Sequence, residues 1–427
     1  MTAEKALKCS IIIVVLLSVL FPVGAYFGVI AVFMAAIQAR RSRQALSELA
    51  SDNASLFMLV SFLLSCFFSR DRLMSLGALV LLCLNLGFYL VLVVELKKDG
   101  WEQYRRILDI GCTIVCIYGI YQFASGDLIM PKSWVDEKSF GSLARIYSTL
   151  LNPNILAAYL VMNLSLGISR LLSLGRDKLL MLNLPLASVC LLLTYSRGGF
   201  VAFFASMLAL VLLNKRKRGI MLYTALMAAA FVVMNTGGNA SRIGLSAVYR
   251  DSSSLYRIEI WKAAFDMFLT NPVMGHGPGT TWYYLSSGSD KLFSYILHSH
   301  NIYLQVAAEL GITGVAAFGY LFARKAHEVM RLLGEKITVK EKCVLQGFAA
   351  CLTGIAVHGL IDAVIFVPAF SLIFMGYAAV FGSILSAYSA KPSYRLSFEG
   401  EGVFKLLGGK GPGKKQYKEE EGETCEA

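Results

Sequence analysis

Three residues of this chain combine chemical reach with an unusual placement. Arg197 stands in LLLTYSRGGF between two apolar runs, with almost no loop to carry it into water. An arginine at the centre of a membrane helix costs about 2.5 to 3.5 kcal/mol on insertion scales. It therefore either snorkels to the interface or faces a polar cavity, where its planar fork suits the oxygens of a phosphate. Arg257 lies in the first turn of YRIEIWKAAFDMFL, residues 256–269, where backbone N–H groups already favour anions and Asp251-Ser252-Ser253-Ser254 supplies candidate caps. His300, in His298-Ser299-His300-Asn301, carries an imidazole, a group that can take and return a proton. Taken alone, a histidine at that position is simply a helix cap. Glu259 is a competing base, although a local ion pair with Arg257 is the simpler account.

The elements that must position these groups are membrane helices. Hydrophobic residues make up 56% of the 427 and mean hydropathy is +0.60, while a bilayer core about 30 Å thick needs roughly 20 apolar residues per span. Apolar runs fall near 55–69, 73–95, 107–124, 148–169, 179–195, 199–213, 219–234, 301–323, 344–364 and 367–388. The first run, 9–37, is too long for one span and has Phe21-Pro22-Val23-Gly24 at its middle, which reads as a tight helical hairpin, with one kinked helix as the alternative. The fold class expected is an all-α polytopic membrane protein of about twelve transmembrane helices. Within residues 256–269, Ile258, Trp261, Phe265, Phe268 and Leu269 recur at helical spacing, an amphipathic helix ended by Asn271-Pro272.

Basic residues collect in alternate polar breaks, at Arg40, Arg41 and Arg43, at Lys97 to Arg106, at Arg170 to Lys178, at Lys215 to Arg218 and at Arg324 to Lys342. Basic loops stay cytoplasmic, so both termini are expected inside. Residues 125–147, Arg197 and a large loop at 235–300 then share the extracytoplasmic side. The same rule absorbs the net charge of +12, and no nucleic-acid-binding module is visible. Eight of the nine cysteines lie in or beside apolar runs and Cys425 lies in the tail, which points to neither a disulfide framework nor a cysteine metal site. Residues 390–427 are rich in Gly, Lys and Glu and are expected to form a disordered cytosolic tail. Gly275-His276-Gly277-Pro278-Gly279 follows no predicted strand and reads as a turn rather than a nucleotide fingerprint.

In order along the chain come Arg145 with LNPNILAAYL (151–160), TYSRGG (194–199), RIEIW (257–261) leading to Asn271-Pro272 and GHGPG (275–279), then HNIYLQ (300–305) with ELGITG (309–314). Together these resemble the bacterial O-antigen ligase and polymerase family over roughly residues 140–320. The resemblance implies a GT-C-like, metal- and cofactor-independent glycosyltransferase of the bacterial plasma (inner) membrane. Its donor would be a glycan on a polyprenyl diphosphate such as undecaprenyl diphosphate, and its acceptor a glycan, lipid or protein. It gives Arg197 and Arg257 to the diphosphate and makes His300 the general base on the acceptor hydroxyl. Arg145, Asn152, Asn154, Asn301 and Trp261 are candidates for substrate binding, with helix capping, interhelical bonds and interface anchoring as their structural alternatives. The chain then divides into N-terminal helices 1–147, a ligase-like core 148–323, C-terminal helices 324–389 and the tail 390–427.

Two other readings compete. A secondary transporter of a small anion such as bicarbonate or a sugar acid would put Arg197 on a path reaching both sides. A zinc enzyme would use His276, His298 and His300, completed by Asp290. His358 and Asp362, one turn apart in a late helix, are polar groups without an assigned role for which mutual pairing is the simplest account.

Overall fold

The computed structural model describes residues 2–126, 145–175, 177–215, 217–236, 252–287 and 298–389. The tail 390–427, and residues 237–251 and 288–297 of the 235–300 loop, Asp290 among them, lie outside the described residues. All regular elements among the described residues are helical: α1 (Ala3–Leu20), α2 (Ala25–Gln38), α3 (Ser42–Ala50), α4 (Asn53–Phe67), α5 (Arg72–Asp99), α6 (Glu102–Ser125), α7 (Pro153–Leu174), α8 (Lys178–Leu193), α9 (Arg197–Leu213), α10 (Lys217–Thr236), α11 (Ser252–Thr270), α12 (Thr281–Ser287), α13 (Ile302–Gly334), α14 (Val339–His358) and α15 (Pro368–Ser389), with two short 3-10 turns.

The chain is an all-α polytopic membrane protein. Six of these helices are long and apolar enough to cross a bilayer, or seven if α3 and α4, bent by 93°, count as one span. Three more apolar helices, α2, α8 and α9, are shorter. Residues 9–37 form two helices rather than one: the chain breaks at Phe21–Gly24, and α1 and α2 pack with Val14 against Gly28. The core of the bundle is α7, buried over most of its length and flanked by α14, α9 and α8.

Short polar side chains set the helix starts. Asp52, Asp71 and Asp177 cap α4, α5 and α8, and Thr338 with Glu341 forms a reciprocal capping box at α14. The helix ends remote from the site described below carry ion pairs, among them Arg41–Glu95 at 2.6 Å, Arg170–Asp109 at 3.0 Å and Lys325–Asp52 at 2.7 Å.

Helix α13 is broken at Gly311, which has φ +65°. The segment 272–277 fills the break: Ile312 N donates to Pro272 O, His276 N to Ala308 O and Gly277 N to Glu309 O. The backbones touch so closely that a Cβ on Gly311 would lie 2.4 Å from Val273 O. Main-chain groups freed by the break are thus satisfied by protein, as hydrocarbon requires.

Candidate active site

Three helices begin at the site, and each beginning has the same form. Asn152, Ser196 and Asn301 cap α7, α9 and α13, each with its side-chain oxygen accepting from the first turn. The residue before each cap is left-handed without being glycine: Leu151 at φ 59°, Tyr195 at 48° and His300 at 52°. Such backbone is uncommon for these side chains and persists only where surrounding contacts over-determine it. The consequence is that the chain turns sharply into each helix, leaving Arg197 at the first position of α9 and His300 just outside α13.

One pocket is lined by Arg145, Asn154, Tyr195, Arg197, Gly198, Arg257, His358, Ile361 and Asp362. Three arginines and one buried carboxylate thus face a single space. Asn154 is its hub: its Oδ1 accepts from Ser196 Oγ at 2.9 Å and from Arg145 NH2 at 3.2 Å, and its Nδ2 donates to Asp362 Oδ2 at 2.8 Å. Arg145 Nε also donates to Thr194 O at 2.8 Å. Arg257 Nε is buried without a hydrogen-bond partner among the described residues. A buried guanidinium nitrogen left in that state favours an incoming anion, and the starts of α7 and α9 add positive helix-dipole ends.

Asp362 binds the histidine turn as well. Its Oδ1 lies 3.3 Å from His300 Nδ1 and 3.9 Å from His298 Nε2, and accepts from Ala363 N. Burial opposes its charge, yet His300, His298 and Arg257 together hold the Asp362 carboxyl well below the usual carboxylate range. Burial, reinforced by His300 and Arg257, pushes His298 down to about 4 against the pull of Asp362. The His298 Nδ1 accepts from His300 N at 3.2 Å, so the ring is neutral with its proton on Nε2, toward Asp362. His300 is fixed from a third side by Trp261, whose Nε1 donates to His300 O at 3.3 Å.

Helix α11 delivers two of these contacts from one face, because Arg257 and Trp261 are four residues apart. Its Ile260, Ala264 and Met267 are buried, while Ile258, Phe265 and Leu269 of the apolar stripe stay exposed. Asn152 and Asn301 are occupied as caps, and Asn301 Nδ2 also donates to Leu360 O at 3.0 Å.

Several sequence expectations are corrected. Glu259 pairs with Lys262 at 2.8 Å, not with Arg257, since residues three apart share a helix face and residues two apart do not. Asp362 directs its side chain to His300 and Asn154 rather than to His358, whose Nδ1 is buried and unpartnered among the described residues. His276 is held by Thr270 and the Met267 carbonyl. The group with metal-ligand spacing is instead His298, His300 and Asp362, whose ligand atoms lie within 4.8 Å of one another.

Residues 182–319 match the family model described as O-antigen ligase, a stretch that holds Arg197, Arg257, Trp261 and His300. The match covers about a third of the chain, and over that stretch the chain is similar to the O-antigen ligase family. The apolar helices make it a multi-pass membrane protein, and the matched stretch indicates a glycosyl-transferring function of the O-antigen ligase type. No curated protein matches the chain.

Proposed function

We propose that this protein moves an oligosaccharide from a polyprenyl diphosphate, such as undecaprenyl diphosphate, to an acceptor hydroxyl at the outer face of the bacterial plasma membrane. In this reading both termini are cytoplasmic and the pocket opens on the extracytoplasmic side, which agrees with the basic residues at the remote helix ends. The observation that carries the proposal is the juxtaposition of Arg145, Arg197 and Arg257 around one pocket whose buried Asp362 reaches His300.

Asp362 accepts the Nδ1 proton of His300, which leaves the Nε2 lone pair for the acceptor hydroxyl. As Nε2 takes that proton, the acceptor oxygen bonds to the anomeric carbon and the bond from that carbon to the diphosphate oxygen breaks. The electron pair leaves with the diphosphate, whose growing charge is met by the arginines and the helix starts. Preorganised donors of this kind are often worth a few kcal/mol of barrier. A positioned base contributes about a hundred- to ten-thousandfold. Asp362 also stabilises the imidazolium that forms, and a single displacement inverts the anomeric centre. Arginines here do what a divalent cation does elsewhere, so the reaction proceeds without a metal.

The test is transfer by purified, detergent-solubilised protein from a polyprenyl-diphosphate oligosaccharide in excess chelator, for wild type and His300→Ala. Product from wild type alone supports the proposal. Failure with several donors and acceptors, together with anion uptake into proteoliposomes, overturns it in favour of a transporter. Wild-type turnover that disappears in chelator and returns with a divalent cation overturns the metal-free chemistry and makes His298, His300 and Asp362 cation ligands, as their spacing allows.

A further inference from the structure

His358 is a buried polar residue of the pocket to which the mechanism above gives no work. It ends α14, is 1% exposed, and lines the same space as Arg197, Arg257 and Asp362. Its Nδ1 is buried and has no hydrogen-bond partner among the described residues. A buried imidazole commonly secures one nitrogen on a carbonyl or carboxylate, because leaving it bare costs about 1 to 3 kcal/mol. Asp362, one turn on, is the obvious partner, yet its two oxygens are given to His300, Ala363 and Asn154.

The ring's other edge lies at the start of α9. A Cβ on Gly198 would fall 3.0 Å from His358 Cδ2 and 3.1 Å from Nε2. Glycine at that position therefore lets the imidazole lie against the first turn of the helix that carries Arg197. The Nε2 edge thus stands against Gly198 in the first turn of α9, the end of the helix where an anion drawn by the arginines would rest.

Building on the polyprenyl-diphosphate reading, we infer that His358 is a further substrate-contacting residue, whose Nε2–H donates a hydrogen bond to an oxygen of the leaving diphosphate. It supplies a neutral, directional donor from the protein-core side of the pocket, complementing the arginine charges. The bare nitrogen is then the consequence of a ring oriented for its ligand.

The experiment compares wild type, His358→Phe, His358→Gln and Arg257→Ala by thermal unfolding, by binding of sugar-free polyprenyl diphosphate, and by transfer kinetics. Phe fills the site without a polar atom, so a purely structural histidine predicts unchanged or raised Tm and unchanged kcat. The inference predicts the same Tm behaviour with kcat lowered about tenfold to a hundredfold and product binding weakened about tenfold, the loss of one hydrogen bond to a charged group. Gln, which places an amide nitrogen near Nε2, is expected to restore kcat to within about threefold of wild type, as a like-for-like donor should. Wild-type kcat and binding in His358→Phe overturn the inference, as does a loss shared by Phe and Gln that tracks a fall in Tm. If wild type itself fails to bind polyprenyl diphosphate, or Arg257→Ala binds it as well as wild type, the diphosphate reading beneath the inference is what fails.

Discussion

Asp362 Oδ1 sits 3.3 Å from His300 Nδ1, although 62 residues and two helices, α13 and α14, separate them in the chain. The pair joins the histidine turn before α13 to the end of α14, and Asn154 carries the link on to Ser196 and Arg145. A base held by a carboxylate keeps one tautomer and one direction, and the carboxylate is in turn held by an amide.

Replacing Asp362 with Asn keeps the shape of the pair but removes the charge that supports the imidazolium. Asp362→Asn is expected to lower kcat about a hundred- to ten-thousandfold, with the KM for donor changed far less. Steady-state kinetics over a donor series checks this, and an unchanged kcat would remove Asp362 from the mechanism.

Arg197→Ala and Arg257→Ala are each expected to weaken binding of polyprenyl diphosphate about tenfold to a hundredfold. Arg197→Lys is expected to recover little, because an ammonium on a flexible stem cannot present two parallel donors. Equilibrium binding in detergent micelles, with His300→Ala as the comparison that retains donor binding, measures both effects.

Two groups tie folding to pH with the same sign. Asp362 has its folded pKa lowered, so its contribution is complete above the unfolded value of about 3.9 and is lost as pH falls through the folded value. His298, pushed down to about 4, stays neutral in the fold between there and about 6.5, where the unfolded chain is already protonated. Stability is therefore expected to drop as pH is lowered from about 6.5 to about 4, and the His298 part to level off below that. Thermal unfolding across this range should show the slope in wild type and a shallower one in His298→Gln; parallel curves would contradict the assignment.

Gly311 has φ +65° and backs onto the Val273 carbonyl, so Gly311→Ala meets both strain and overlap. A residue forced into that region costs about 1 to 3 kcal/mol before any clash is counted. A Tm several degrees below wild type is the expected result, with Gly319→Ala, where a Cβ meets nothing within 4 Å, as the control that leaves Tm near wild type.

The apolar runs made the helices legible, since hydrocarbon thickness leaves little choice of element. Arg197 stood out because a cation is costly where it sits, and Arg257 because the sequence set it near a helix start that favours anions. The Asp362–His300 link was not legible, because nothing in the spacing of residues 300 and 362 states how α13 and α14 return past each other. Nor were the left-handed turns at Leu151, Tyr195 and His300, for these residue types give no sign of that backbone. Glu259 is a case in which the sequence reading paired the wrong residue: three-residue spacing on one helix face puts Lys262, not Arg257, beside it.

The exposed stripe of Ile258, Phe265 and Leu269 on α11 has a consequence for where the protein can work. Arg257 and Trp261 share that helix, so with the stripe resting in hydrocarbon, swinging them from the site would cost about 1.5 to 3 kcal/mol for each large side chain fully withdrawn. A bilayer against that stripe would act as a latch behind the arginine, and lipid thickness and packing would become variables of the pocket itself.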